Sequence, residues 1–414
     1  MADTSTITTL DQFKLSFPIR LLNRFGRWLE VLHLKTASIN ADSLIAQATR
    51  QTGLSDWGDS AFLDDYRVLI QNFERADGLS LLGRLAMRQE FLRILTNRLR
   101  HVELIKQHPE ILDVPIQRPI FILGLPRTGT TLLHKLFAQD ASMRVPLFWQ
   151  LLSPFPLTAD EREIQQRIRL ADNTVKLSRF VAPLFRVIHQ ADAREPEECI
   201  FLLPHHLAYH GRGIIPNYIQ WYLSRSAISD YRYYKQQLQI LQWQQSVQHW
   251  VVKSPFHLFN LDVLLEVFPD ACIIQTHRDP TKVLPSWCSL SATFAIMHRD
   301  HVDYEEIGRD WLQLWRTAMD RTIAVRETAN AEQFFDLHYD QFVADPVAMM
   351  RRIYQYFGYP LSEAAEAGIR RWVVEQPADK YGVHRYDAAQ FGLNDTVIRE
   401  TFKPYIERFG IRLE

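Results

Sequence analysis

Hydrophobic residues recur along the chain at two different periods, and the change comes near position 114. Before it, Leu21, Leu22, Phe25, Trp28, Leu29 and Leu32 fall at helical spacing. Leu81 to Leu104 is a long run rich in Leu, Arg and Glu with no turn cluster, so a second helix is predicted there. From Pro115 onward, short continuous apolar runs take over. Ile120–Leu123, Trp250–Val252, Ala271–Gln275 and Gln333–Leu337 read as buried strands, each followed by a loop and a helical pattern. The first leads through a glycine loop into the helix Thr131–Phe137. The second leads into a helix with Leu261, Leu264, Leu265 and Phe268 on one face. After the fourth, Asp345-Pro346 reads as an N-cap with proline at the first helical position, and the helix Val347–Phe357 should stop at Gly358.

Short buried strands alternating with helices predict an α/β domain with a central parallel sheet and ligands at the carboxyl ends of its strands. The expected organisation is a helical region over residues 1–114 packed on an α/β domain over 115–414. A mostly helical, aromatic-rich insertion over about 142–249 interrupts that domain. No fixed-period repeat or low-complexity linker divides the chain.

Composition narrows the function without naming it. Of the 414 residues, 47% are hydrophobic and 23% charged, the balance of an ordinary globular protein. Forty-seven Lys and Arg against 48 Asp and Glu leave a net charge of -1, which gives no footprint for nucleic acid, so any anion site must be local. Cys199, Cys272 and Cys288 lie at spacings that make neither a metal cluster nor a disulfide frame. The pairs His205-His206 and His298/His301 do not make an H-E-x-x-H site, and no metal is expected. No apolar run approaches the ~20 residues of a membrane span, and MADTSTITTLDQF lacks a basic segment followed by an apolar core. A cytoplasmic protein is the expectation.

The chemistry concentrates in GLPRTGTT, Gly124 to Thr131. It fits G-x-x-x-x-G-K-[ST] at Gly124, Gly129 and Thr131, but Thr130 stands in the lysine slot. A glycine turn at a helix N-terminus aims several backbone N–H groups at one point, where the helix dipole adds partial positive charge. Thr128, Thr130 and Thr131 offer hydroxyls, and Arg127 offers a guanidinium fork. Without the lysine, and without a Walker B strand ending in Asp, a metal-bound triphosphate is poorly served. A ligand with a single 5′-phosphate-type group fits better. A second anchor, THRDPTKVLPSW, sets Arg278 at a strand's carboxyl end and Ser286 about two turns into the following helix.

These paired segments resemble those of sulfotransferases that use 3′-phosphoadenosine 5′-phosphosulfate (PAPS). The chain is similar to a bacterial-type branch with an N-terminal helical extension, and TGLSDWGDSAF and HPEILDVPIQRPIFILGLPRTGTT extend the likeness upstream. Asp345 to Gly358, after Tyr339, resembles the family's C-terminal element. The resemblance implies a P-loop-like three-layer core from about Gln117. It also implies direct in-line sulfuryl transfer to a hydroxyl or amine, with no metal. The loop residues Arg127, Thr128, Gly129, Thr130 and Thr131 would hold the 5′-phosphosulfate, and Arg278 with Ser286 the 3′-phosphate. A small-molecule, lipid or carbohydrate acceptor is implied. A P-loop small-molecule kinase and an inactive nucleotide-binding scaffold are the alternatives.

Arg127 is the first candidate for the charge developing on the leaving group. Lys253 is the second, because KSPFH resembles the family's Lys-x-His region. Two residues compete as general base. His257 resembles the catalytic histidine by location, two residues beyond the usual spacing from the lysine. Glu198 resembles the P-x-E-C glutamate of the bacterial branch. Trp149-Gln150 stands where some relatives carry Trp-Glu, which removes a base there. Lys380 and Arg385, in the basic-aromatic run Lys380–Tyr386, are further candidates for the nucleotide, although the family's Arg-Lys-Gly form is absent. Phe201, His205, His206, Tyr209, Tyr218, Trp221 and Tyr222 could wall an acceptor pocket or simply be core.

Overall fold

A computed structural model of the chain describes residues 7–32, 37–156, 160–188, 191–245, 249–375, 383–384 and 386–414. Its centre is a five-stranded parallel sheet built from β1 (Ile120–Gly124), β2 (Met143–Arg144), β3 (His249–Lys253), β4 (Cys272–His277) and β5 (Phe334–His338). The spatial order is β2-β3-β1-β4-β5. The chain therefore crosses from β1 to one side and later returns to its other side. That places the switch point at the carboxyl end of β1, where open α/β sheets bind ligands. The glycine loop begins there.

All five residues of β1 are buried, as a parallel strand covered on both faces requires. Alternation then sorts its side chains into two layers. Phe121 and Leu123 join the larger core, which includes the insertion and the N-terminal helices. Ile120 and Ile122 join a second core formed with Leu133, Leu136, Met350 and Ile353. The sheet is thus sandwiched between helices in three layers, and the runs predicted as strands are those that run through it. The two-residue edge strand β2 has no periodic signal to announce it.

Among the described residues, four α-helices precede the sheet: α1 (Phe17–Val31), α2 (Ala41–Thr52), α3 (Ser60–Arg75) and α4 (Leu81–Gln107). Helix α1 forms where the spacing predicts it, but with an unexpected orientation. Ile19, Asn23 and Gly26 face inward, and the Asn23 side chain accepts from the Leu82 N–H at 3.0 Å. Leu21, Phe25, Trp28 and Leu32, the stripe that the periodicity marked as apolar, point away from the core.

Helix α4 ties the N-terminal region to the insertion. Arg93 donates to both Glu90 oxygens at 2.8 and 2.9 Å and, with Asn97, reaches the Leu152 carbonyl. Burial alone would raise the Glu90 carboxyl, but Arg93 outweighs it and holds it down at about 2. A depressed acid stabilises the fold above its ordinary value of 4.5 and loses that contribution as pH falls toward about 2. We expect Glu90→Gln to cost about 2–3 kcal/mol at pH 7, somewhat below a fully dry pair. The gap between the variant's and wild type's urea midpoints should narrow steadily below pH 4.5. A gap that stays constant down to pH 3 would show that the pair contributes nothing.

Most of the aromatic insertion residues are core, while Phe201 and Trp221 are half-buried against it. Tyr209, Tyr218 and Tyr222 are buried, His205 pairs with Asp230 at 3.1 Å, and His206 stacks on Tyr209 at 4.0 Å.

Candidate active site

The glycine loop is shaped by three unusual backbone positions. Gly124 has φ of 144°, and a Cβ there would lie 2.3 Å from Thr276 Oγ1, so β1 and β4 could not approach as they do with any side chain. Gly129 has φ of 87° and caps helix α5 (Thr130–Phe137), with no side chain capping the helix's first N–H groups. A Cβ on it would press Tyr339 and Phe342 at 3.2 and 3.3 Å. Arg127 is a non-glycine residue at φ of 66°, a strained conformation worth roughly 1–3 kcal/mol that functional loops retain. The turn therefore leaves the amino end of α5 open to an anion.

Thr128 serves the loop itself. It is buried, and its hydroxyl meets the Leu125 carbonyl at 2.6 Å and Thr276 Oγ1 at 2.5 Å. Only its backbone is left for a ligand. Thr130 is buried at the helix start, and Thr131 beside it is exposed.

The two anchors meet. Exposed Arg127 donates from Nε to Ser286 Oγ at 3.2 Å. Ser286 is held on helix α6 (Pro280–His298), whose start is capped by Asp279 accepting from the Thr281 N–H. Arg278, one residue beyond β4, lies with its guanidinium 4.1 Å over Tyr339 and reaches the Arg127 carbonyl at 3.4 Å. Its fork already holds an oxyanion: Nε and one terminal nitrogen donate to the two carboxylate oxygens of Glu414 at 2.9 and 3.2 Å. Sequence gave no sign of this contact across 136 positions. If Glu414 competes with a ligand's phosphate for Arg278, Glu414→Gln should tighten adenosine 3′,5′-bisphosphate by about 2–5-fold, the worth of a partly exposed ion pair. Unchanged or weaker binding by calorimetry would show instead that Glu414 orients Arg278.

At the end of neighbouring β3 lies the third group. Lys253 is buried and donates from Nζ to Glu198 Oε1 at 2.7 Å, while the Glu198 side chain stays 26% exposed. Arg127 lies within electrostatic reach of Arg278, Tyr339, Glu198 and Tyr386. The loop, the distal anchor and the Lys253–Glu198 pair therefore gather around Arg127.

His257 does not join them. It is fully buried, with Nδ1 2.8 Å from the Tyr231 hydroxyl, Nε2 3.2 Å from Cys199 Sγ and Phe121 edge-on to its ring. Burial lowers its pKa to about 3. This placement weighs against His257 as base, because both ring nitrogens are engaged inside the core. The extra two residues after Lys253 carry it into the turn Pro255–Asn260. Adjacent residues divide the roles: Cys199 turns in toward His257, and Glu198 turns out toward Lys253. Lys380 and Arg385 lie outside the described residues. Among those described, no group of three or more His, Cys, Asp or Glu could hold a metal, and no helix is long and apolar enough to cross a membrane.

A parallel α/β sheet with a glycine loop and open helix end at its switch point, an arginine at the neighbouring strand's end and a Lys–Glu pair beside them is an arrangement suited to holding a phosphorylated ligand. The comparisons specify the family. Residues 119–363 match the Sulfotransferase family. The crystal structure of sulfotransferase STF1 from Mycobacterium tuberculosis is similar over 88% of this chain and 98% of that one, with 31% identity and a TM-score of 0.78. For sulfotransferase STF9 from Mycobacterium avium, the values are 91%, 98%, 30% and 0.80. The omega-hydroxy-beta-dihydromenaquinone-9 sulfotransferase Stf3 of Mycobacterium tuberculosis is 27% identical over 70% of this chain and 75% of its own length. The chain belongs to the sulfotransferase family, and it is a sulfuryl-transferring enzyme.

Proposed function

We propose that the enzyme moves the sulfuryl group of PAPS to a hydroxyl of an apolar, lipid-like acceptor, with Glu198 as general base. The observation that carries the donor site is the Arg127–Ser286 contact, which joins the two anchors into one clamp. Its residues fit the donor's two ends. The open amino end of α5 with Arg127 suits the 5′-phosphosulfate, and Arg278, already gripping a carboxylate, suits the 3′-phosphate. Thr130 in the lysine slot leaves no cation to reach a metal-bound γ-phosphate. The hydroxyl is the acceptor class because relative Stf3 is named for an ω-hydroxylated menaquinone.

In this mechanism the acceptor oxygen attacks sulfur while the bond from sulfur to the bridging phosphate oxygen breaks. The acceptor's proton passes to the Glu198 carboxylate, and adenosine 3′,5′-bisphosphate leaves. Lys253 and Arg127 supply fixed positive charge where the leaving oxygen becomes negative. Lys253 also holds Glu198 by its 2.7 Å hydrogen bond, so the base and the leaving-group cation are positioned together.

Calorimetry tests the donor site. Adenosine 3′,5′-bisphosphate should bind without metal, and Arg278→Met should weaken it roughly 10–100-fold by removing a charged bidentate contact. Tight binding of ATP with Mg²⁺ and none of the bisphosphate would assign the site to a kinase. Transfer from radiolabelled PAPS across polyprenyl, sterol and sugar alcohols tests the acceptor. A preference for sugars would overturn the lipid reading while leaving the donor site standing.

A further inference from the structure

Helix α1 presents an apolar face to solvent. Phe17, Leu21, Phe25 and Trp28 are each more than half exposed, Val31 and Leu32 continue the stripe, and Phe25 stacks on Trp28 at 5.9 Å. At 3.6 residues per turn Phe17, Leu21, Phe25, Trp28 and Leu32 fall within an arc of roughly 80°, with Val31 beyond Arg24 on the arginine side. Single exposed hydrophobics are ordinary, but a continuous stripe of them marks an interaction site. The opposite side, Ile19, Asn23 and Gly26, is what anchors the helix to the protein.

The helix's own charges beside this stripe are basic. Arg20 and Arg24 are exposed along one flank with Arg27, which pairs with Asp300, and Lys14 precedes the helix. No acidic residue occurs between Asp11 and Glu30. A second helix adds to the same region. The Ser16 N–H donates to the Val181 carbonyl at 2.9 Å, setting the start of α1 beside the end of the helix Glu161–Val181. Next to that bond stand Phe17 on one helix and Phe180 on the other, both exposed, with exposed Leu177 and basic Lys176 and Arg179 close by in sequence. The chain just before α1 leads back to the active site: Ile7–Thr8 pairs in parallel with Val383–His384, two residues from Tyr386, which lies beside Arg127.

We propose that α1 and the end of Glu161–Val181 dock the enzyme on an anionic lipid surface, with the aromatic stripe in the interface and the arginines at the headgroups. Fifteen residues are too few to span a bilayer. An apolar face flanked by arginines is the arrangement that lies in the plane of the interface. Docking on such a surface would deliver a lipid acceptor without its passage through water. The docking argument stands on the surface alone and does not need the acceptor assignment.

Flotation with vesicles, in the absence of donor and acceptor, tests it. The protein should bind phosphatidylcholine vesicles containing phosphatidylglycerol, bind pure phosphatidylcholine weakly, and release as salt rises. Phe25→Ser with Trp28→Ser should lower the vesicle partition at least about tenfold. Arg20→Glu with Arg24→Glu should abolish the preference for phosphatidylglycerol. Val374→Ser, an exposed apolar residue elsewhere, should change neither. Unaltered binding of adenosine 3′,5′-bisphosphate verifies that each variant is folded. The proposal is overturned if wild type ignores the anionic vesicles or if the aromatic variant binds them equally. It is also overturned if sedimentation shows a dimer that the same variant dissociates, which would assign the face to a second copy of the chain.

Discussion

Glu198→Gln is expected to lower kcat by about 10²–10⁴-fold, the usual worth of one general base. Affinity for adenosine 3′,5′-bisphosphate should stay within about threefold, because the donor anchors Arg127, Ser286 and Arg278 are untouched. Glutamine keeps an oxygen for the Lys253 contact but cannot accept the acceptor's proton, so the substitution separates proton transfer from positioning. The contrast is His257→Asn. That variant removes a residue bonded to Tyr231 and Cys199 in the core, and should cost about 1–3 kcal/mol of stability for the partners left unmatched. Its kcat, measured where it is folded, should remain near wild type. The pH profile gives an independent reading. Burial holds His257 near 3, so it stays neutral from pH 5 to 8 and can contribute no limb to kcat near the ordinary histidine value. The assignment fails if His257→Asn is folded yet inactive while Glu198→Gln turns over normally.

The strands were legible because burial on both faces demands unbroken apolar runs, and Ile120, Trp250, Cys272 and Phe334 all lie in such runs. Their caps were legible as well: Asp345 accepts from the Ala348 N–H and Gly358 closes its helix at φ of 70°, as local chemistry required. What depends on distant partners was not. The same periodicity would mark α1 as core-facing or as exposed, since spacing fixes that residues share a face but not what the face meets. The burial of His257 depends on the turn after β3, which carries the histidine inward and has no local signal in the sequence. The Thr128 hydroxyl looks free in sequence and is consumed by Leu125 and Thr276 across the sheet. Glu414 on Arg278 is a tertiary contact with no local signal. Residues that define the loop could be read because their geometry is local. The partners of the catalytic groups could not.

Lys253→Met should lower kcat by about 10²–10³-fold, the range seen when one preorganised donor to a developing oxyanion is removed. Methionine keeps the apolar length of the buried stem and deletes only the ammonium, so the end of β3 should pack as before. The substitution also strips Glu198 of its 2.7 Å partner, but that carboxylate is 26% exposed and water can take the vacated position. A folded variant with a catalytic defect is therefore the expected result. Lys253→Arg should rescue poorly, since a planar fork cannot occupy the same buried point between base and leaving oxygen. The double variant with Glu198→Gln is the decisive measurement. If Lys253 acts on the leaving group and also positions the base, the two losses overlap in part, and the double variant should fall below Glu198→Gln alone by less than the full Lys253→Met loss. Two full, additive losses would show that the ion pair contributes nothing to placing Glu198. A single Lys253→Met variant within threefold of wild type would remove Lys253 from the chemistry, leaving Arg127 as the cation that meets the leaving oxygen.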